Sequence, residues 1–363
     1  VRYEYFQWDE ELFRKLLAYR SLRSLFHYLA TLTSGDVEQA FDILEELRRR
    51  GALPPGTDLE RFRRMLEEEQ VIREVDGGPA LTPLGLQGLR RDAFDQIFSS
   101  LRKRGVGDHP VPQEGSGSEA LTETRSFRFG DDLRDLDWNG SIRNYLKRRG
   151  PGGFDLGEED LVVFEKDSQT SCASVLLLDV SHSMVLYGED RITPAKRVAL
   201  GLVELIRTSY PRDSIDVVLF GDDARQVPLS ELPFVSVGPY HTNTKAGLDL
   251  ARRILRRKKH TNKQVLMITD GKPSCIDDGG GRLYKNPFGL DPRIVNRTLD
   301  EAVLLRRERV PITTFMIARD PSLQRFVERL TELNRGRAFF ADSGNLGAFV
   351  MVDFVRNRRR RYR

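Results

Sequence analysis

Two cysteines, Cys172 and Cys275, in 363 residues exclude a disulfide framework, and no CxxC pair offers a thiolate zinc site. No apolar run approaches the roughly 18 residues that cross a bilayer, which excludes a membrane-spanning helix. The opening Val1–Trp8 has no apolar stretch of the signal-peptide kind, so the expected compartment is the reducing cytoplasm. The phosphate-cradling pattern GxxxxGK(S/T) is missing, since Gly271-Lys272-Pro-Ser has no upstream Gly, and GxSxG is missing too. Nor does one sign of charge prevail. The formal net charge is +4, and the last eight residues hold six Arg, without which it falls to −2. The basic balance is therefore a property of the tail and not of the body. What remains, 39% hydrophobic and 31% charged residues, is the composition of a globular protein with a charged surface, long enough for two or three domains.

Residues 1–105 read as a helical domain. Leu12, Phe13, Leu16 and Leu17 recur at helical spacing, as do Phe41, Ile43, Leu44 and Leu47, and Gly51 with Pro54-Pro55-Gly56 closes the second pattern. Asp76-Gly77-Gly78 marks a tight turn, and Thr82-Pro83 opens another helix. The order resembles a winged-helix-like module, while a plain helical bundle fits the same pattern. Asp58–Gln70 carries at least as many acids as bases, which argues against DNA reading. Residues 106–120, rich in Gly, Ser and Pro, read as a flexible linker. Residues 121–170 read as an extended strap, 171–355 as an α/β domain and 356–363 as an Arg-rich tail. In the α/β domain, short β-branched runs alternate with amphipathic helices. That alternation predicts a doubly wound, mostly parallel, Rossmann-like sheet covered on both faces.

In such sheets ligands gather beyond the carboxyl ends of the strands. The run Val175-Leu-Leu-Leu leads into Asp179-Val-Ser181-His-Ser183, and Val265-Leu-Met-Ile-Thr leads into Asp270-Gly271. Between them in sequence stands His241-Thr242-Asn-Thr244. Two carboxylates and three hydroxyls thus meet at one sheet edge, a hard-oxygen set suited to Mg²⁺ or Mn²⁺. Two carboxylates balance a divalent charge and the hydroxyls add none. The ion stays electrophilic, with a position open to an Asp or Glu of a partner.

Asp179, Ser181, Ser183, Thr242 and Asp270, in that order and each at a strand end, resemble the metal-ion-dependent adhesion site of von Willebrand factor A domains. The resemblance favours Thr242 over Thr244. A second resemblance precedes it: Arg125, Gly130-Asp131-Asp132, Arg134, Asp137-Trp138 and Arg143 look like the lead-in of bacterial von Willebrand A proteins encoded beside MoxR-type AAA+ ATPases. The C-terminal half, with Ile268-Thr-Asp-Gly-Lys-Pro, is similar to proteins related to the D subunit of magnesium chelatase. These resemblances imply an adaptor that pairs with an AAA+ ATPase and presents a client. A subunit of a metal-chelatase-like complex is the alternative they leave open.

His182 and His241, flanking the proposed ligands, are candidates for touching a bound partner. The Gly-rich stretch 273–291, with Asp277, Asp278 and Tyr284, is read as a loop that supplies partner selectivity. The charged strap residues serve either to pin that segment by ion pairs or to dock the ATPase. Two rivals stay in view. A Mg²⁺-dependent phosphohydrolase would use Asp179 as nucleophile, but Ser181 stands where a general acid is needed. Nucleic-acid binding would use the N-terminal domain and the Arg tail.

Overall fold

Cys172–Asp179 (β5) is buried along its whole length, as a strand covered on both faces must be. The computed structural model describes residues 21–103 apart from 55 and 76, 124–127, 136–149, 157–164, and 171–360 apart from 189, 239, 279–281, 287, 318–319 and 342–345. The described chain forms two compact units, residues 108–170 and the remainder.

The larger unit begins with helices α1 (Leu22–Leu32), α2 (Val37–Arg49) and α3 (Leu59–Glu68), the antiparallel hairpin β1 (Ile72–Val75) and β2 (Gly78–Leu81), and helix α4 (Pro83–Lys103). Ser21, Asp36 and Asp58 cap the first three helices, each accepting from a backbone N–H three residues on. Then follow β5, α6 (Ile192–Ser209), β6 (Ser214–Phe220), β7 (Ala224–Val227), α7 (Thr244–Arg257) and β8 (Asn262–Thr269). The series closes with β9 (Cys275–Asp277), β10 (Leu283–Lys285), α8 (Pro292–Arg307), β11 (Ile312–Met316), α9 (Pro321–Asn334), β12 (Arg337–Phe340) and α10 (Leu346–Arg360).

Six strands make the central sheet in the order β12-β11-β8-β5-β6-β7. All neighbours run parallel except β7, an antiparallel edge strand the periodicity did not suggest. Alternate side chains divide between two cores. Val175, Leu177, Val218, Phe220, Val265 and Met267 face α7, α8 and α9. Leu176, Leu178, Val217, Leu219, Leu266 and Ile268 face α6 and α10.

That second core continues without a break into the N-terminal helices, where Phe26, Leu29, Leu44, Leu66, Leu89 and Ala93 belong to it. The helical region therefore has no separate core of its own. Gly201, midway along α6, allows the close approach: a Cβ there would sit 3.1 Å from Ile97 Cδ1 and from Met351 Cε, and 3.4 Å from the Phe94 backbone. Lys196, one turn into α6 and fully buried, donates from Nζ to Thr31 O (2.7 Å), Ser34 Oγ (3.2 Å) and Val235 O (3.0 Å). Arg90 of α4 pairs with Glu204 of α6 at 3.4 Å. The expected linker 106–120 lies outside the described residues, as does the tail beyond 360.

In the smaller unit, β3 (Thr124–Ser126) pairs antiparallel with β4 (Val162–Phe164). Where the sequence suggested an extended strap, residues 138–149 form helix α5 (Trp138–Arg149). Asp137 starts it, accepting from Gly140 N–H at 3.0 Å. The guanidinium of Arg148 grips the buried Asp160, and Val162 N–H donates to Ser141 Oγ at 2.9 Å. These tertiary contacts offset a Trp-Asn-Gly-Ser opening of poor helix propensity. Trp138 and Arg143 lie on this helix, both exposed, and Arg125 lies in β3. Asp131, Asp132 and Arg134 fall outside the described residues.

Candidate metal centre

The strand order reverses at β5, which has β6 on one side and β8 on the other. In open α/β sheets such a reversal is where ligands gather, at the carboxyl ends of the flanking strands, here β5 and β8. Asp179 ends β5 and is buried; its Oδ1 accepts from Ser181 N–H at 2.9 Å, and its Oδ2 accepts from Thr269 Oγ at 2.5 Å. Ser181 Oγ and Ser183 Oγ lie 3.0 Å apart. Ser183 Oγ in turn donates to Asp270 Oδ1 at 2.7 Å, and Arg191 donates to Asp270 Oδ2 at 2.6 Å. From the third loop, Thr242 is fixed by its backbone: its N–H donates to Ser274 Oγ and its C=O accepts from Ser274 N–H, both at 3.0 Å. Asn243 caps α7 by accepting from Ala246 N–H at 3.0 Å.

These oxygens surround a small cradle above Gly271. A Cβ placed on that glycine would lie 2.8 Å from Thr242 Oγ1, 3.0 Å from Ser183 Oγ and 3.2 Å from Asp179 Oδ2. The end of β5 with its following loop, and the loop before α7, thus aim oxygen at one point that the missing side chain of Gly271 leaves open. Burial, reinforced by the charge of Asp270, pushes the Asp179 carboxyl up to about 7. Burial also raises Asp270, against the opposing hydrogen bonds of Ser183 and Arg191. Two crowded, buried carboxylates repel one another when both are charged, a repulsion that a cation between them would relieve. Among the described residues no group of three His, Cys, Asp or Glu side chains is placed to hold a metal ion, and the two carboxylates here are supplemented only by hydroxyls. The donors present fit a small, hard divalent ion held by Asp179, Ser183 and Thr242, with Ser181 and Asp270 bonded to that group.

The remaining sequence candidates scatter around this point. His182 is exposed beside the cradle, its backbone N–H bonded to Tyr240 O at 3.0 Å. His241 is held by Asp222, whose Oδ1 accepts from its backbone N–H (2.6 Å) and lies 3.3 Å from Nδ1. Lys285 donates to the other oxygen of Asp222 at 3.0 Å. The stretch expected as a loop without structure carries the hairpin β9–β10, with Asp277 opposite Leu283. Asp278 pairs with Arg293, and Tyr284 donates to Asp291 Oδ2 at 3.0 Å while Arg293 covers its ring. Asp278 and Tyr284 thus tie the hairpin to the start of α8.

The sequence reading passed over Thr269, Gly271 and Arg191. Thr269 and Gly271 flank Asp270, so their proximity was legible. Arg191 stands eight positions past Ser183 in the chain, with no local pattern to mark it.

The profile of the Rv0959-like protein vWA domain matches residues 172–355, and that of the Rv0959-like protein third domain matches residues 119–166. Fold and match together define a protein with a vWA domain preceded by a helical region. The chain belongs to the Rv0959-like family. The uncharacterized protein Rv0959 of Mycobacterium tuberculosis is 31% identical over 329 residues, covering 88% of this chain and 48% of the relative. The uncharacterized protein Mb0984 of Mycobacterium bovis gives the same figures. The chain spans about half the length of these curated relatives. Among solved structures, the vWF domain of the type V pili tip protein Mfa5 from Porphyromonas gingivalis is 15% identical with a TM-score of 0.41, covering 52% of this chain and 95% of that one. No helix among the described residues is long and apolar enough to cross a membrane.

Proposed function

We propose that this chain is a divalent-metal-dependent protein-binding module with no catalytic step of its own. One observation carries the reading: Thr242 Oγ1, Ser183 Oγ and Asp179 Oδ2 all lie within 3.2 Å of a single point. Asp179, Ser183 and Thr242 would hold Mg²⁺ or Mn²⁺ there, and the ion would supply an electrophilic centre for an outside carboxylate. The residues around it orient and desolvate: Ser181 N–H and Thr269 Oγ fix the Asp179 carboxylate, and Ser274 fixes Thr242. The residue two past Asp179 is Ser181, engaged with Ser183, which leaves a phosphohydrolase without its general acid. The partner in this reading is a MoxR-type AAA+ ATPase, or a client offering Asp or Glu. The ATPase rests on the resemblance carried by Gly130-Asp131-Asp132 and Asp137-Trp138.

Titration calorimetry of Mg²⁺ into the wild-type chain and into Asp179→Ala tests the centre. Binding is expected in the first and absent in the second, with the circular dichroism of both alike. Affinity capture with and without EDTA tests the partner. Equal recovery of an AAA+ ATPase by Asp179→Ala in EDTA would overturn capture through metal.

A further inference from the structure

Helix α5 of the smaller unit leaves part of its apolar surface uncovered. Its inner face is fixed: Ser141 and Tyr145 are buried, Ser141 Oγ accepts from Val162 N–H at 2.9 Å, and Arg148 pairs with Asp160 and, at 3.3 Å, with Glu159. Trp138, Ile142 and Leu146 follow one another at intervals of four residues, which makes them one ridge along the helix beside that face. Trp138 is 59% exposed and Leu146 47%, with Ile142 half-buried between them. A single exposed apolar side chain is ordinary; a ridge of three led by an indole is not.

Charge says what kind of partner suits the ridge. Residues 138–149 hold Arg143, Lys147, Arg148 and Arg149 and no Asp or Glu. Arg148 is engaged by Asp160 and Glu159. Arg143 and Lys147 are exposed, each one position past a ridge residue on the side away from the buried face, and neither is ion-paired among the described residues. A second copy of α5 laid on this ridge would set bases against bases. A helix that beds into a bilayer does so with a broad apolar face, whereas this ridge is one side chain wide and about 12 Å long, two turns of a helix. We infer that the ridge docks an acidic amphipathic helix of a partner protein. The partner's apolar residues lie against Trp138, Ile142 and Leu146, and its Asp or Glu against Arg143 and Lys147. The indole anchors the contact and the two bases select its charge. This surface is separate from the metal-dependent reading above, and the contact needs no divalent ion.

The test uses the full chain and two fluorescently labelled synthetic helices of about 18 residues. Both carry the same apolar face of Leu; one has Glu on its flanks and the other Lys. Affinity is read by fluorescence anisotropy in EDTA. The Glu peptide is expected to bind at least about tenfold more tightly than the Lys peptide at low salt, with the gap narrowing as salt rises. Trp138→Ser is expected to weaken the Glu peptide on the order of tenfold. The swap of Arg143→Glu together with Lys147→Glu, at two exposed positions, is expected to reverse the preference, and it decides the matter if Trp138→Ser fails to fold. Equal affinity for the two peptides, or a preference that survives the swap, overturns the inference, as does undiminished binding by a folded Trp138→Ser. Trp8→Phe leaves Trp138 as the one tryptophan; if acrylamide then fails to quench its emission, the chain itself covers the ridge and the inference is wrong. Trp138-dependent self-association, or Trp138-dependent binding to phosphatidylserine vesicles in place of the Glu peptide, gives the ridge another occupant and overturns it too. Binding of the Glu peptide is expected to be equal in EDTA and Mg²⁺ and intact in Asp179→Ala, so that failure of this surface and failure of the metal centre read out separately.

Discussion

At the scale of the residue, Gly271 decides whether there is a centre at all. Its backbone requires no left-handed conformation, so the argument for glycine is space alone: a methyl would lie 2.8 Å from Thr242 Oγ1 and 3.0 Å from Ser183 Oγ. Gly271→Ala is expected to lower Mg²⁺ affinity at least about tenfold by calorimetry, with a loss of stability of about 1 kcal/mol from overpacking. Asp179 makes a second expectation, in pH. Its carboxyl, raised to about 7 from an unfolded value of 3.8, binds more protons folded than unfolded between those values. Its stabilising contribution is thus fully present at low pH and lost as pH rises through the folded value. In EDTA the melting temperature should fall from about pH 5 to about pH 7.5, and Asp179→Asn should flatten that slope. Saturating Mg²⁺ should oppose it, because a cation favours the charged form. A slope unchanged in Asp179→Asn would assign the pH dependence elsewhere. The residue types of this centre were legible in the chain, since Asp179-Val-Ser-His-Ser and Thr-Asp270-Gly stand at strand ends. Arg191 was not, because only the fold brings the head of α6 to Asp270.

Among elements, the buried strands and amphipathic helices were the most legible. In α7, Asn243 supplies the cap and a clear apolar stripe (Leu248, Ala251, Leu255) supplies the helical period. Helix α5 and the hairpin β9–β10 were illegible for opposite reasons. The first is held by Asp160, beyond the helix's own end, and the second pairs only three residues on each strand. Gly201 shows how packing reverses a local preference. In an isolated helix its replacement by a larger residue would add roughly 0.5–1 kcal/mol of stability. Here Ile97, Met351 and Phe94 leave no room, so Gly201→Leu is expected to cost about 1–3 kcal/mol in urea denaturation. Stabilisation instead would show that α4 and α10 yield easily. Lys196 works at the same junction: burial lowers its ammonium to about 8, yet it donates to three oxygens, Thr31 O at the end of α1, Ser34 Oγ just past it and Val235 O. Lys196→Met should cost about 1–3 kcal/mol, because Thr31 O and Val235 O would each lose a charged donor and keep only the Ser34 N–H and Oγ.

For the whole molecule, the consequence is that the helical region is part of the α/β unit and not an appendage. Its apolar residues and those of α6 form one core, so deleting residues 22–103 would bare the outer face of α6. The truncated chain is expected to aggregate or bind a hydrophobic dye, as judged by gel filtration and fluorescence. A monodisperse, metal-binding truncation would contradict the shared core. The sequence by itself determined the alternation of strand and helix, the doubly wound sheet, and the carboxylates and hydroxyls at the strand ends, because period-two and helical patterns and strand-end motifs are local properties of the chain. Only the tertiary structure decided that α6 is covered by the N-terminal helices and that a glycine leaves the cradle open. It alone decided, too, that an arginine stands against the second carboxylate. Each of these depends on distances between segments far apart in the chain, which no local pattern encodes.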